Sequence, residues 1–253
     1  MLSLKPAGEN NSNVTLLTPD KGIIYATLYG GPKSKLKSLV SLYNCGTIWL
    51  YESPEKNQIK ISDFDVKNYH SSLSQNLFKI YAASLAAELS IKTHAAGSSQ
   101  ECYKYVCGFL DGMELCNEEQ SRLGLIRFLW RFLILLGVNP DVRECENCSK
   151  SFIDLKFDMK EFSYYNILDN TFLCKDCANS NFNMTNENNS FLLPLKLQSI
   201  RYLDALNTKN PKEVRQIKID QESYEEIRQL VFYLIEKNVE SKLNSIETGA
   251  GIL

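Results

Sequence analysis

The sequence predicts an α+β fold in which a small β-barrel is followed by a helical domain that a four-cysteine zinc ribbon interrupts. Three observations predict it: short apolar runs between turn signals near the N terminus, long stretches of helical periodicity after them, and two Cys-x2-Cys pairs between the third and fourth of those stretches. We therefore expect four segments: a barrel in residues 1–72, the first part of the helical domain in 73–144, the ribbon in 145–180, and the return part of the helical domain in 181–253.

The barrel prediction depends on three apolar runs, at residues 13–17, 22–29 and 46–51. Turn-forming Pro, Gly and Asp residues separate these runs, and few of the connections carry a helical pattern. Short strands at this spacing favour a small barrel.

From about residue 72 the apolar residues recur every three or four positions, which is the period of a helix. The third helical stretch, residues 120–137, is apolar almost all round, so we expect it to be a central, buried helix. The other helical stretches are residues 76–90, 100–114, 191–207 and 221–239. The expected core residues of the central helix are Leu125, Phe128, Leu129, Phe132, Leu133 and Leu136.

Four of the eight cysteines have the spacing of a zinc site. Cys145 and Cys148 form one Cys-x2-Cys pair, and Cys174 and Cys177 form a second pair after 25 intervening residues. This spacing lets two tight knuckle turns point four thiolates at one ion, and a shell of four cysteines has no open position for catalysis. We expect a structural Zn²⁺ ion. The alternatives are two unrelated buried or redox-active pairs, or an iron–sulfur cluster.

The remaining cysteines and the histidines carry no such pattern. With only two histidines, His70 and His94, a multi-histidine metal site or a histidine-based triad is nearly excluded, and we expect neither residue to have a functional role. We find no nucleophile–base pair, phosphate-binding loop or carboxylate cluster with a clear role, and therefore predict that the protein is not an enzyme. The cysteines expected to be small buried side chains are Cys45, Cys102, Cys107 and Cys116.

Composition and charge limit the classes of function that remain possible. The chain has 253 residues, of which 44% are hydrophobic and 23% are charged, as is ordinary for a globular protein. A net charge of -2 excludes a protein that coats nucleic acid by bulk positive charge, so an anion-binding surface must come from local clustering. No apolar run is long enough to span a bilayer, and the N terminus does not resemble a signal peptide, so we expect a cytoplasmic location without membrane contact.

The sharpest local charge lies in residues 21–40, which contain four lysines and no acidic residue. An extended backbone would place alternate lysines on one side, where they could neutralise successive phosphates of a nucleic acid. The alternative is a solvated strand edge, which lysines commonly protect. The candidate nucleic-acid-binding residues are Lys21, Tyr29, Lys33, Lys35 and Lys37.

The strand-like runs also contain aromatic residues that could stack on bases. In a small barrel such side chains are more often core residues, and this is the interpretation we favour. These aromatic residues are Tyr25, Tyr29, Tyr43, Trp49 and Tyr51. If the lysine stretch does not bind nucleic acid, the next candidates are Arg122, Arg127 and Arg131 in the central helix, or Lys209, Lys212, Arg215 and Lys218 nearer the C terminus.

Three stretches together resemble the RecO family of bacterial recombination mediators. Residues 16–22 join two leucines to Thr-Pro-Asp-Lys-Gly, residues 30–37 form the basic stretch Gly-Gly-Pro-Lys-Ser-Lys-Leu-Lys, and residues 131–140 end in Leu-Gly-Val-Asn-Pro. Cys145 follows that proline by five residues, where the family has its first knuckle. The basic stretch departs from the family because it has lysines where arginines are usual, which keeps the charge and loses the bidentate geometry.

This resemblance implies an OB-like β-barrel and a non-catalytic role in DNA repair. It implies that the protein binds single- and double-stranded DNA, anneals complementary strands, and helps to load the RecA recombinase onto strands coated by single-strand-binding protein (SSB). The implied partners are RecR, the C-terminal tail of SSB and, in many bacteria, RecF; the implied location is the cytoplasm, in association with the nucleoid. The alternatives are a nucleic-acid-modifying enzyme with a structural zinc ribbon and a helical adaptor that binds only protein.

Overall fold

The structure is a computed structural model that describes residues 1–30, 34–53, 55, 58–154, 158, 161–182 and 191–253. The chain forms two compact units: Met1–Phe128 together with Val239–Leu253, and Leu129–Asn238. The predicted α+β fold class is confirmed, with a β-sheet at the N terminus and helices after it. The division into four segments stays a prediction.

A five-stranded mixed sheet forms the N-terminal part of the first unit. Its order is β1-β2-β3-β5-β4, with β3 parallel to β5 and the other neighbours antiparallel. Five strands in a partly open barrel are the form of an OB-fold. The strands are β1 (Ser3–Ala7), β2 (Asn11–Thr18), β3 (Gly22–Leu28), β4 (Cys45–Ser53) and β5 (Gln58–Asn68).

The sheet is not a closed barrel, which corrects the prediction. Among the described strand pairings, the edge strands β1 and β4 do not pair with each other. Hydrogen bonds just before the two strands take the place of such pairing: the Tyr43 N–H donates to the Met1 carbonyl at 3.0 Å, and the Met1 amine donates to the Asn44 carbonyl at 3.1 Å. These bonds satisfy backbone groups that a ladder would otherwise use.

The inner face of the sheet is built from aliphatic side chains that alternate along the strands. In β3, Ile24, Ala26 and Leu28 are buried, and they pack with Val14 and Leu16 of β2. Because successive side chains of a strand point to opposite faces, Tyr25 and Thr27 point outwards.

A short helix, α1 (Lys35–Leu39), stands where the sequence predicted an extended backbone. Leu36 and Leu39 pack against the core of the sheet, and Val40 after the helix is buried in it. Two leucines that are three residues apart reach the same surface only on a helical backbone. The packing of these leucines therefore favours a helix, although the alternating lysines predicted an extended backbone.

Three longer helices follow the sheet, close to their predicted positions. They are α2 (Leu77–Lys92), α3 (Ser99–Leu115) and α4 (Glu118–Leu136), and α2 is preceded by a 3-10 turn at Ser71–Gln75. The Asn76 side chain caps α2 by accepting a hydrogen bond from the Lys79 N–H at 2.9 Å. In the part of the chain that the structure describes, no helix combines the length and apolar character needed to cross a membrane.

Helix α4 has the buried character that its composition predicts. Of its six expected core residues, Leu136 is half-buried and the other five are buried, with Phe132 0% exposed. Trp130 is also fully buried, and its indole N–H donates to the Asn207 side chain at 2.8 Å. Burial of the aromatic ring together with a satisfied indole N–H makes this part of α4 a well-packed part of the second unit's core.

A short helix at the end of the first unit, α9 (Asn244–Thr248), depends on a carboxylate of α2. Glu88 accepts hydrogen bonds from the Asn244 N–H at 2.9 Å and the Ser245 N–H at 2.8 Å, and its carboxylate lies 2.8 Å from the Lys92 amine. Helix α9 has no side-chain cap of its own, so Glu88 supplies the hydrogen-bond acceptors for the first backbone amides of the helix.

We expect Glu88→Gln to lower the free energy of unfolding by about 1.5 to 3 kcal/mol near neutral pH, because hydrogen bonds to a charged acceptor are stronger than neutral ones. Burial opposes ionisation of Glu88, but the Lys92 amine and the Ser245 and Asn244 donors hold its pKa below the usual value. The stabilisation is thus present above the unfolded pKa and is lost as pH falls through the folded pKa. Urea unfolding at neutral and acid pH measures this difference. Glu9→Gln, at an exposed turn, is the control and should change little.

The second unit contains a three-stranded antiparallel sheet of order β7-β6-β8 and the remaining helices. The helix predicted for residues 191–207 begins only at Leu197, because Leu192–Lys196 pair with β6 as an edge strand. Pro194 lacks the N–H that a central strand would need. It is tolerated in this strand because the strand lies at the edge of the sheet. The elements are β6 (Phe162–Asn166), β7 (Thr171–Cys174), α5 (Lys175–Phe182), β8 (Leu192–Lys196), α6 (Leu197–Thr208), α7 (Pro211–Val214) and α8 (Gln221–Asn238).

Candidate metal centre and nucleic-acid interface

The first Cys-x2-Cys pair forms a tight knuckle. The Ser149 N–H donates to the Cys145 carbonyl at 2.8 Å, and the Cys145 N–H donates to the Lys150 carbonyl at 2.9 Å. Ser149 has a φ of 55°, in the left-handed region that such a turn requires. The Glu146 N–H donates to the Phe172 carbonyl at 2.9 Å, and this bond joins the knuckle to β7.

The second pair stands where β7 passes into α5. Cys174 is the last residue of β7, and Cys177 lies in the first turn of α5. The strand pairs with β6, where Cys174 is opposite Ser163. One pair is therefore held by a turn and the other by a strand–helix junction, and both are fixed to the same small sheet.

The four sulfurs lie together in a closed cluster. Their Sγ atoms are all within 4.8 Å of one another, and the Cys148 and Cys174 sulfurs are 3.7 Å apart. A tetrahedron with Zn–S bonds of about 2.3 Å has sulfurs about 3.8 Å apart. The cluster therefore has the size and the ligand type of a four-cysteine zinc site.

Electrostatics at the cluster also suit a cation. Burial disfavours ionisation of Cys145, but backbone N–H groups of Cys174, Cys148 and Asn147 point at its sulfur and lower its pKa to about 7. Cys177 shows the opposite effect, since burial and the neighbouring cysteine sulfurs raise its pKa. Crowding four sulfurs without a counter-charge is unfavourable, and a bound dication removes that cost.

The four cysteines outside this cluster differ in exposure. Cys102 is buried as predicted, and its thiol lies 3.7 Å from the Ser90 hydroxyl. Cys45, Cys107 and Cys116 are only half-buried, so the prediction of small buried side chains is wrong for these three. Cys45 and Cys107 are close together, as described below.

The predicted basic segment is not a straight row of lysines. Lys33 lies outside the described residues, and Lys35 and Lys37 are on α1. Two positions apart on a helix, these side chains are not directed to one side as the extended backbone would have directed them. Lys21 lies in the β2–β3 turn, where its amine is 3.1 Å from the exposed carboxylate of Glu52.

Four of the five strand aromatics are placed opposite to our expectation. Tyr43 is buried, but Tyr25, Tyr29, Trp49 and Tyr51 are exposed, with Trp49 49% exposed. The reason is that the aliphatic residues, which alternate with these aromatics along the strands, already fill the inner face of the sheet. Four aromatic side chains therefore lie on the solvent side of β3 and β4.

Strand register shows that these aromatics share a face with lysines. One residue from each of the five strands forms a row across the sheet, in which each residue is paired with the next. Paired residues project to the same side of the sheet. Tyr25 and Tyr29 lie two residues before and two residues after Thr27, the member of the row in β3. Trp49 lies two residues before Tyr51, the member of the row in β4. The row is Lys5, Asn13, Thr27, Lys60 and Tyr51.

Lys60 belongs to the same face and was not among the candidate residues that the sequence indicated. Its amine lies 5.0 Å from the centre of the Tyr29 ring, a cation–π distance. The sequence of β5 alternates around Lys60, but the signal was hidden because nothing in the sequence paired β5 with β3. We call the exposed residues Tyr25, Tyr29, Trp49, Tyr51 and Lys5, together with the half-buried Lys60, the outer sheet face.

The alternative basic residues divide into two groups. Arg122 on α4 is engaged with Glu118 at 2.8 Å and with the Ile252 carbonyl at 2.9 Å, and Arg127 and Arg131 also have interactions within the protein. The basic residues around α7 are exposed, namely Lys209, Lys212, Arg215 and Lys218. The second group is thus the stronger competitor of the outer sheet face.

Comparison with known proteins identifies relatives of this chain. The family model described as "Recombination protein O C terminal" matches residues 74–247. A DNA repair protein RecO of Dehalococcoides mccartyi (strain CBDB1) is 25% identical over 244 residues, covering 93% of this chain and 88% of the relative. DNA repair protein RecO of Acaryochloris marina is 28% identical over 147 residues, covering 57% of this chain and 50% of the relative.

Proposed function

The chain belongs to the recombination protein O family of DNA repair proteins, and on that premise we propose that it is a non-catalytic, DNA-binding recombination mediator. It binds single- and double-stranded DNA, anneals complementary strands, and helps to load RecA onto SSB-coated DNA. It does so together with RecR, with the SSB C-terminal tail and, in bacteria that have it, with RecF, and it acts at the nucleoid in the cytoplasm.

The outer sheet face is the observation that carries this proposal. Exposed aromatic rings that share a face with lysines are the combination that sequence-independent binding of single strands uses, because every base has a π-face. Stacking contributes about 1 to 3 kcal/mol per base, and lysines attract the phosphates. Four exposed aromatic rings in so small a sheet are otherwise unfavourable in water.

Lysines around the outer sheet face supply the charge. Lys5 and Lys60 stand three strand spacings apart in one row, about 14 Å. In the sequence, Lys33, Lys35 and Lys37 follow the end of β3 by five to nine residues. Lys21 contributes less, because Glu52 neutralises part of its charge.

The four-cysteine cluster supports a structural role for Zn²⁺. Cys145, Cys148, Cys174 and Cys177 would hold the ion, which supplies no catalytic position when all four ligands are protein sulfurs. Its contribution is to fix the knuckle of residues 145–150 to β7 and the start of α5. This closed shell also argues against the alternative of a zinc-dependent nucleic-acid-modifying enzyme.

We expect the variant with Lys33, Lys35 and Lys37 all changed to Ala to bind single-stranded DNA more weakly and with a flatter salt dependence. Each lost phosphate contact reduces the slope of log affinity against log salt by about 0.7, so the total change is roughly 2. Affinity should fall equally for unrelated sequences, because lysine contacts to phosphate do not read bases. Fluorescence anisotropy of labelled DNA at several salt concentrations measures both effects.

The matched control removes the same charge from the competing site: Lys209, Lys212 and Lys218 are changed to Ala. This control should keep the wild-type salt slope. A control that loses the slope while the first variant keeps it would move the DNA site to the α7 region. DNA that stays uncut with divalent metal argues against the enzyme alternative, and a protein without DNA affinity would favour the protein-only adaptor.

A further inference from the structure

Two thiols that the proposed function does not use face each other in the first unit. The sulfur of Cys45, the first residue of β4, lies 3.6 Å from the sulfur of Cys107 on α3. Both residues are half-buried. The two sulfurs are in contact although 61 residues separate the cysteines in the sequence.

A buried histidine stands beside this pair. The side chain of His70 is 1% exposed, and its Nδ1 lies 2.7 Å from the Tyr43 carbonyl while its Nε2 lies 2.8 Å from the Asp111 carboxylate. Both partners are acceptors, so each ring nitrogen needs a hydrogen and the ring is an imidazolium. Burial opposes that charge, but hydrogen bonds with Cys45, Tyr43 and Asp111 raise the pKa of His70 to about 9.

The surroundings make the two thiols unequal. The hydrogen bond with Cys107, the hydrogen bond and charge of His70, and the charge of the Met1 amine favour the Cys45 thiolate against burial and lower its pKa to about 5. The neighbouring Cys45 sulfur and burial raise the pKa of Cys107. One cysteine is therefore the nucleophile, and the other is a protonated thiol in position to react with it.

We propose that Cys45 and Cys107 form an oxidisable dithiol, which hydrogen peroxide converts to a disulfide that joins the start of β4 to α3. The Cys45 thiolate attacks one peroxide oxygen, the O–O bond breaks, and the hydroxide that leaves takes up a proton to become water. The sulfur of Cys107 then attacks the sulfur of the Cys45 sulfenic acid, losing its proton as the S–O bond breaks. A second water leaves as the S–S bond forms. The two thiols lose two electrons and two protons, and peroxide is reduced to two waters.

His70 is a positioning residue in this chemistry, because it stabilises the Cys45 thiolate and does not exchange atoms with peroxide. We expect His70→Gln to slow alkylation of Cys45 by iodoacetamide at mildly acid pH by about tenfold or more, since an ordinary thiol is almost fully protonated there. The pH profile of the alkylation rate should move towards that of an ordinary thiol. A merely structural role of His70 would leave the midpoint of that profile in place.

The test uses the full-length, zinc-loaded protein treated with a small excess of hydrogen peroxide. Remaining thiols are blocked with N-ethylmaleimide, the protein is digested without reduction, and peptides are identified by mass spectrometry. We expect a linked peptide pair containing Cys45 and Cys107 that is lighter by two hydrogens and separates on reduction. Zinc release is followed in the same sample, so that oxidation of the four-cysteine cluster is distinguished.

Two variants complete the design. Cys107→Ser should abolish the linked pair and leave a Cys45 sulfenic acid that dimedone labels, whereas Cys102→Ser should form the linked pair as the wild type does. The proposal is overturned if peroxide leaves both Cys45 and Cys107 open to alkylation in the wild type. It is equally overturned if the cluster cysteines oxidise and release zinc while this pair stays reduced.

Discussion

Replacing Cys174 by Ser is expected to abolish zinc binding and to loosen residues 145–180, while the N-terminal sheet stays folded. Cys174 is buried at the end of β7, and its sulfur lies 3.7 Å from that of Cys148. A four-thiolate zinc shell contributes its binding energy directly to folding, with apparent values of about 10 to 16 kcal/mol in zinc-finger peptides. A serine oxygen is a much poorer zinc ligand, so most of that contribution is lost from the second unit.

Metal analysis of protein prepared without chelator should find about one zinc per wild-type chain, and hydrogen exchange should locate the loosened segment. Cys116→Ser is the matched control, because this half-buried thiol is outside the cluster. It should retain its zinc. Wild-type protein that carries iron would contradict zinc as the metal, and a Cys174→Ser variant that keeps a full equivalent of zinc would contradict the four-cysteine site.

Truncating Phe132 to Ala is expected to cost about 3 to 5 kcal/mol of unfolding free energy, the range for a fully buried phenylalanine. Its ring is 0% exposed on α4, beside the equally buried Leu129 and Leu133. The loss combines the transfer energy of the ring with the cavity that remains, because a close-packed interior relaxes only in part.

Urea unfolding followed by circular dichroism measures the Phe132 effect. Phe191→Ala is the control: the same side chain is removed at an exposed position, and the expected cost is within about 0.5 kcal/mol. If both variants lost the same stability, α4 would not be the organising helix of the core.

The parts of the site predicted from sequence are those whose chemistry fixes their spacing. Cys145 and Cys148 must be two residues apart to share a knuckle, so the spacing itself carried the information. Similarly, α4 is apolar almost all round, a composition typical of a buried helix. Both predictions came from local constraints that need no knowledge of the neighbouring elements.

The outer sheet face could not be predicted in the same way, because strand alternation does not say which parity is buried. Tyr25 and Ile24 are both apolar enough for a core, and the sheet buries the aliphatic residue. Lys60 lies on the outer sheet face only because β5 pairs with β3, which is a long-range contact. The alternation of lysines around Lys35 predicted an extended backbone, but the packing of Leu36 and Leu39 against the core favours a helix there.

Tryptophan fluorescence during a titration with single-stranded DNA tests the central claim most directly. The chain has two tryptophans: Trp49 is 49% exposed on the outer sheet face, and Trp130 is 0% exposed. A base that stacks on Trp49 should quench its emission, with the same midpoint and salt dependence as the anisotropy of labelled DNA. Trp49→Phe should still bind, because it keeps an aromatic ring, but should show no quenching.

The account predicts quenching in the wild type and a silent Trp49→Phe variant. DNA that binds by anisotropy while the emission of wild-type Trp49 stays unchanged would place the DNA away from the outer sheet face and contradict the account.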